Sequence, residues 1–179
     1  PQTRRAVQAL RARPRTAHTR QLFRAIFGVT PETVPSWRTP NSAWRDLGEL
    51  VALRLERGMQ ILDGGHTRGG YIRYFARGSS AHCPECTGQP TTYRACSSWR
   101  GQYLICLGRR FWLWWRDRNF NAMGSTLLHE ALHIYFSRTV GHGPRRFNNA
   151  ACYQLFVSRI NRITPNRCAR ERCLGLRCV

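Results

Sequence analysis

The chain has 179 residues, of which 29 are basic and 9 acidic, giving a formal charge of +20 and a pI near 11.3. A hydrophobic content of 42% with 11% aromatics is enough to build a core at this length and excludes intrinsic disorder. The longest apolar stretch, Tyr103 to Trp115, is broken by Arg109 and Arg110 and falls short of the roughly 20 residues a membrane-spanning helix needs, so no membrane span is expected.

The chain begins at Pro1 with neither an initiator Met nor the apolar core of a signal peptide, and so reads as a processed or excised piece of something longer. Every basic residue is Arg. A GC-rich genome, delivery into a eukaryotic cytosol where ubiquitin is attached to Lys, and a protease that avoids its own cleavage site would each account for the missing Lys.

In chain order, Val7, Leu10, Leu22, Phe23, Ile26 and Phe27 recur at helical spacing, and Gly28 stands where a C-terminal cap belongs. Residues 29–40, with three prolines, read as a loop. Asn41 or Ser42 is expected to cap a helix whose apolar face is Trp44, Leu47, Val51, Leu55 and Leu62, closed by Gly64 and Gly65. From Tyr71 to Cys106, short β-prone runs separated by Gly, Ser and Pro suit a small antiparallel sheet. Helices are expected from about Ser125 to Phe136 and from about Phe147 to Arg162, with a Gly-rich turn at residues 141–144 between them. The expected architecture is a mainly helical α+β single domain over 1–179: a helical part at 1–65, a sheet and Cys-rich part at 66–120, and a last part at 121–179.

Eight cysteines in a small basic chain favour disulfides and an oxidising compartment, hence a secreted protein or one delivered to a target cell. Cys83 and Cys86 have half the spacing of a structural zinc site, but Cys96 and Cys106 lie too far apart to complete it as a second close pair. The Cys-rich tail, with Cys168, Cys173 and Cys178, is expected to pin the chain end to the body.

The most informative stretch runs from Thr126 to Phe136 and contains His129, Glu130 and His133. Two His at i and i+4 lie one above the other on a helix, so both imidazoles can bind one Zn²⁺, and the Glu beside the first can reach a water on that metal. This is the HExxH pattern of zinc peptidases. Leu127, Leu128, Ala131, Leu132 and Ile134 make the helix apolar enough to be buried, where unpaired His and Glu would be costly. A catalytic zinc takes a third protein ligand and keeps a position for water. Downstream of His133 the only His is His142 and the only acid is Glu171, so His142 is favoured as the third ligand, with Glu171 or a Cys as the alternatives.

The segment from Gln102 to Phe156 resembles the aspzincin peptidases, the group of deuterolysin and peptidyl-Lys metalloendopeptidase. The matching pieces are Tyr103 to Cys106, Phe111-Trp112, Gly124 to His133, Val140-Gly141, Asn149-Ala150, Tyr153 and Phe156. The resemblance implies a zincin-like fold, one catalytic zinc and a protein or peptide substrate. It places the family's third-ligand Asp on His142 and its oxyanion-stabilising Tyr on Arg145, a cation able to do the same work. Tyr153 matches a family Tyr, which implies a catalytic part for it. Lysine-specific members carry acidic groups where this chain has Ala151 and Gln154, so these substrate-facing positions imply no preference for Lys.

The expected activity is therefore zinc-dependent endopeptidase cleavage by a monomeric secreted enzyme or toxin, with an acidic inhibitor or immunity-type protein as a possible partner. Two other readings start from the charge and from the departures. One is an Arg-rich module for nucleic acid or an anionic surface, using Trp112, Trp114 and Trp115 for stacking. The other is a catalytically dead binding protein on a peptidase fold. Against nucleic acid as the main role, HExxH is not a nuclease constellation and only three Asp are present to hold Mg²⁺.

Overall fold

The computed structural model describes residues 1–64, 66–67, 70–71, 73–76, 95–98, 104–136, 146–165 and 167–176, which are mainly helical. The chain forms two compact units, one of residues 1–57 and 142–179, the other of residues 58–141.

The first unit is built around one helix. α1 (Gln2–Arg11) and α2 (Ala17–Phe27) begin the chain, and α3 (Leu47–Gly64) contributes its first turns. α6 (Ala150–Ile160) is buried along its whole run from Ala150 to Ser158, as a helix surrounded by others must be. α1, α2 and α7 (Arg167–Cys173) pack against it. The rings of Phe23 and Phe27 lie 4.7 Å apart, Phe27 stacks on Phe147 at 5.1 Å, and Tyr153 meets Phe27 edge-on at 5.5 Å. Such pairs add roughly 0.5–1.5 kcal/mol each beyond the area they bury. A disulfide between Cys152 and Cys173 ties α6 to α7, so the tail is pinned as its cysteines suggest. No described cysteine is free, and Cys106 and Cys168 are also disulfide-bonded. Cys83 and Cys86 lie outside the described residues.

Gly28 ends α2 in the left-handed region (φ 85°), where its N–H bonds to the Arg24 carbonyl. The start of α3 differs from expectation. The helix begins at Leu47, and its cap is Asp46, whose Oδ1 accepts from the Glu49 N–H at 2.9 Å, rather than Asn41 or Ser42. Trp44 lies before the helix, buried. Asp46 is recruited because it also receives the buried Arg15 guanidinium, Nη2 to Oδ1 at 2.7 Å and Nη1 to Oδ2 at 3.0 Å. Arg15 further donates from Nε to the Leu10 carbonyl at 2.6 Å, fixing the α1–α2 corner to the foot of α3. Arg13 adds bonds of 2.9 Å to both Asp46 and Glu49. Burial alone would push the Glu49 carboxyl up. Hydrogen bonds from the Arg45 guanidinium and amide, with the charges of Arg45 and Arg13, outweigh it and hold Glu49 below the usual carboxylate range.

The second unit holds the last turns of α3, the five strands found among the described residues, α4 (Arg109–Arg116) and α5 (Phe120–Phe136). β1 (His66–Thr67) and β2 (Gly70–Tyr71) form an antiparallel pair. β3 (Arg73–Ala76), β4 (Ala95–Ser98) and β5 (Leu104–Leu107) make a sheet of order β3-β5-β4. It is mixed rather than antiparallel: β4 runs antiparallel to β5, with Cys96 opposite Cys106, whereas β3 runs parallel to β5, with Phe75 opposite Cys106. The reason lies in the connections. Only residues 99–103 separate β4 from β5, which suits a hairpin, whereas residues 77–103 separate β3 from β5 and are long enough for a parallel crossover.

Ile61, Ile105, Leu107, Phe111, Met123, Ala131 and Ile134 form the core of this unit, with α5 packed on β4 and β5. Gly58 lets the end of α3 approach α5 closely: a Cβ there would stand 3.1 Å from Leu128 and 3.3 Å from Leu132. α4 goes unread in the sequence. Its Phe111 and Trp114 face the core while Trp112, Leu113 and Trp115 are exposed, so apolar residues lie on both faces and mask the helical pattern. No helix among the described residues is long and apolar enough to cross a membrane.

Candidate metal centre

α5 starts where Asn119 caps it, the Asn119 Oδ1 accepting from the Ala122 N–H at 3.1 Å. It therefore begins at Phe120, a turn and a half before the expected Ser125. From Leu128 to Ile134 every residue is buried, and this run carries His129, Glu130 and His133, which are 5%, 6% and 9% exposed. The helix is held in place by its small and branched apolar side chains against the sheet and by the Gly58 approach from α3.

Helical spacing brings the two imidazoles face to edge, their centroids 4.7 Å apart and their planes at 78°. Their Nε2 atoms are 3.0 Å apart. A tetrahedral zinc bound at roughly 2.0–2.1 Å would hold two such nitrogens about 3.3 Å apart, so the pair fits two positions of a zinc ligand set. The same separation suits a direct N–H···N hydrogen bond between two neutral rings. Two protonated rings could not face each other in this way, since both nitrogens would then be donors. Glu130, the next residue after His129, adds a buried carboxylate to the same stretch of helix.

Among the described residues no group of three or more His, Cys, Asp and Glu comes together. His142 and Arg145 lie outside the described residues. Glu171, the alternative third ligand, is on α7 in the first unit and pairs with Arg167 at 2.6 Å. Ala151, Tyr153 and Gln154 are on α6, also in the first unit, and all three are buried. The Tyr153 hydroxyl donates to the Phe147 carbonyl at 2.7 Å and lies 3.1 Å from the donating Nη1 of Arg54. Arg54 also reaches the Phe147 carbonyl and the Asn148 side chain.

Two residues that set this geometry escaped the sequence reading. Arg54 gave no signal, being one Arg among many. Gly58 did give one, a glycine inside a long helical pattern, which usually has a packing reason. Against known protein families, curated proteins and solved structures, the chain finds no match.

Proposed function

We propose that the chain is a zinc-dependent endopeptidase domain with an α+β, zincin-like fold, in which the small sheet flanks the metal-bearing helix. The observation that carries the reading is the 3.0 Å approach of the His129 and His133 Nε2 atoms on a buried helix that also carries Glu130. His129 and His133 would hold the zinc, with His142 as third ligand. When bound, the metal supplies a Lewis acid for the scissile carbonyl and makes a water acidic enough to attack it.

The remaining work belongs to the chain's own groups. Glu130 takes the proton from the attacking water and passes it to the leaving amine. Arg145 offers its cation to the oxyanion of the tetrahedral state. Tyr153 acts as a positioning residue: its bond to the Phe147 carbonyl anchors the chain two residues beyond Arg145. The resemblance would assign Ala151 and Gln154 to substrate recognition, and neither supplies an acid to select Lys. The enzyme is proposed to work outside the reducing cytosol, in keeping with the disulfides, and its charge of +20 suits an acidic inhibitor or immunity-type protein as partner.

Glu130→Gln tests this reading. The amide cannot accept the water's proton, so cleavage of a denatured, sequence-diverse protein should fall by about 10²–10⁴, while fold and zinc content stay unchanged. Equal cleavage by wild type and variant would overturn the assignment.

A further inference from the structure

The first unit carries a concave, strongly basic feature that the peptidase reading does not use. A groove of about 570 Å³ is bounded by His18 and Leu22 of α2 and by Arg159, Arg162, Ile163 and Arg170 from the α6–α7 region. Pro165 and Arg167 complete its wall. All four of its arginines are exposed, and among the described residues only Arg167 has a carboxylate, Glu171, to answer it. Arg159, Arg162 and Arg170 make no ion pair among the described residues.

Three uncompensated like charges around one concavity repel each other and focus a positive potential into it. Arg159, in the last turn of α6, has an alternative purpose, since a cation there favours the helix dipole. Arg170, in the last turn of α7, shares that explanation, but Arg162, which lies between the two helices, does not. Arg162 is moreover held at φ 57°, a conformation costly for a residue with a side chain, by bonds from its own N–H to the Arg159 carbonyl (3.0 Å) and from the Ile163 N–H to the Ser158 carbonyl (2.9 Å). This turn folds the chain back at the end of α6 and sets Arg162 into the groove.

We propose that this groove binds single-stranded nucleic acid through its phosphodiester backbone, as an activity separate from the chemistry of α5. Guanidinium forks match phosphate oxygens two at a time, and the same planar group stacks on a base, which an ammonium does not. Between the cations the groove offers Leu22, Ile163 and Pro165, apolar surface against which sugar and base faces can lie. An all-arginine basic set on an apolar floor suits a ligand that alternates charged and flat apolar parts.

The test is fluorescence anisotropy of the full chain with a labelled mixed-sequence single-stranded DNA of 20 nucleotides, titrated over a range of salt. The triple variant R159Q/R162Q/R170Q should bind at least tenfold more weakly and lose about 2 from the log–log salt slope, near 0.7 for each phosphate contact removed. A control triple variant at exposed arginines elsewhere, R4Q/R5Q/R110Q, should lose much less affinity. Equal losses in the two triples would show diffuse attraction by net charge and overturn the proposal. So would polyglutamate of matched charge binding wild type as tightly as DNA, which would make the groove a site for acidic protein. If the triple variant does not fold, as judged by circular dichroism, R170Q alone is the probe. It should shift the slope by about 0.7, and an unchanged slope overturns the proposal.

Discussion

Buried polar groups serve different ends in the two units. In the first, the Arg15 guanidinium meets the Asp46 carboxylate at 2.7 and 3.0 Å, and the Tyr153 hydroxyl meets a backbone carbonyl at 2.7 Å, each an unlike partner. In the second, two groups of the same kind meet, the Nε2 atoms of His129 and His133 at 3.0 Å. Unlike pairs of donor and acceptor are complete in themselves and hold elements together. Two imidazole nitrogens converging on one point can bond to each other or share a cation, which is why the first set is scaffold and the second is the proposed metal centre.

The comparison breaks if the first set turns out to control the metal. Asp46→Ala should have the largest effect on stability, about 3–5 kcal/mol in urea unfolding, because it leaves the buried Arg15 charge with only the longer 3.4 Å pair to Glu32 and removes the α3 cap. Zinc content per folded molecule should not change. Tyr153→Phe comes next, at about 0.5–1.5 kcal/mol, since it removes one of the two donors to the part-buried Phe147 carbonyl and one of the acceptors of Arg54. It too should leave zinc in place, and loss of metal in this variant would move Tyr153 out of the scaffold.

The smallest effect is one of pH. Glu49 has a carboxyl held below its ordinary value in the folded state, so its contribution is present above the unfolded pKa of about 4.3 and is lost as pH falls through the lower folded value. Glu49→Gln should lower the melting temperature slightly at pH 7 and flatten its decline in acid. An unchanged acid slope would mean that the Arg13 and Arg45 pairs do not hold at this site.

The sequence was most legible where one periodicity governs. Gly28 at the end of α2, the helix through His129 and His133, and the disulfide-bearing tail could all be read from residue spacing and type. It was least legible where a distant partner decides. The α3 start moved to Asp46 because Arg15, far back in the chain, needs that carboxylate. The parallel pairing of β3 with β5 depends on a long connection, not on the strands' own residues. α4 was hidden because Trp112 and Trp115 face outward while Phe111 and Trp114 face the core, leaving no clean periodicity, and α7 because its seven Arg-rich residues bury only Ala169 and Cys173. At the site, the i, i+4 spacing announced the His pair. Gly58 offered only the hint of a glycine inside a long helical pattern, and its role appears once Leu128 and Leu132 are seen against it.

The metal content of the purified chain tests the central claim most directly. Protein prepared without chelator and analysed for metals should carry about one zinc per molecule, and His129→Ala and His133→Ala should each reduce it to trace while the helical signal persists. Wild type with zinc no higher than either variant would contradict the account and leave His129 and His133 as a hydrogen-bonded pair within the core of the second unit.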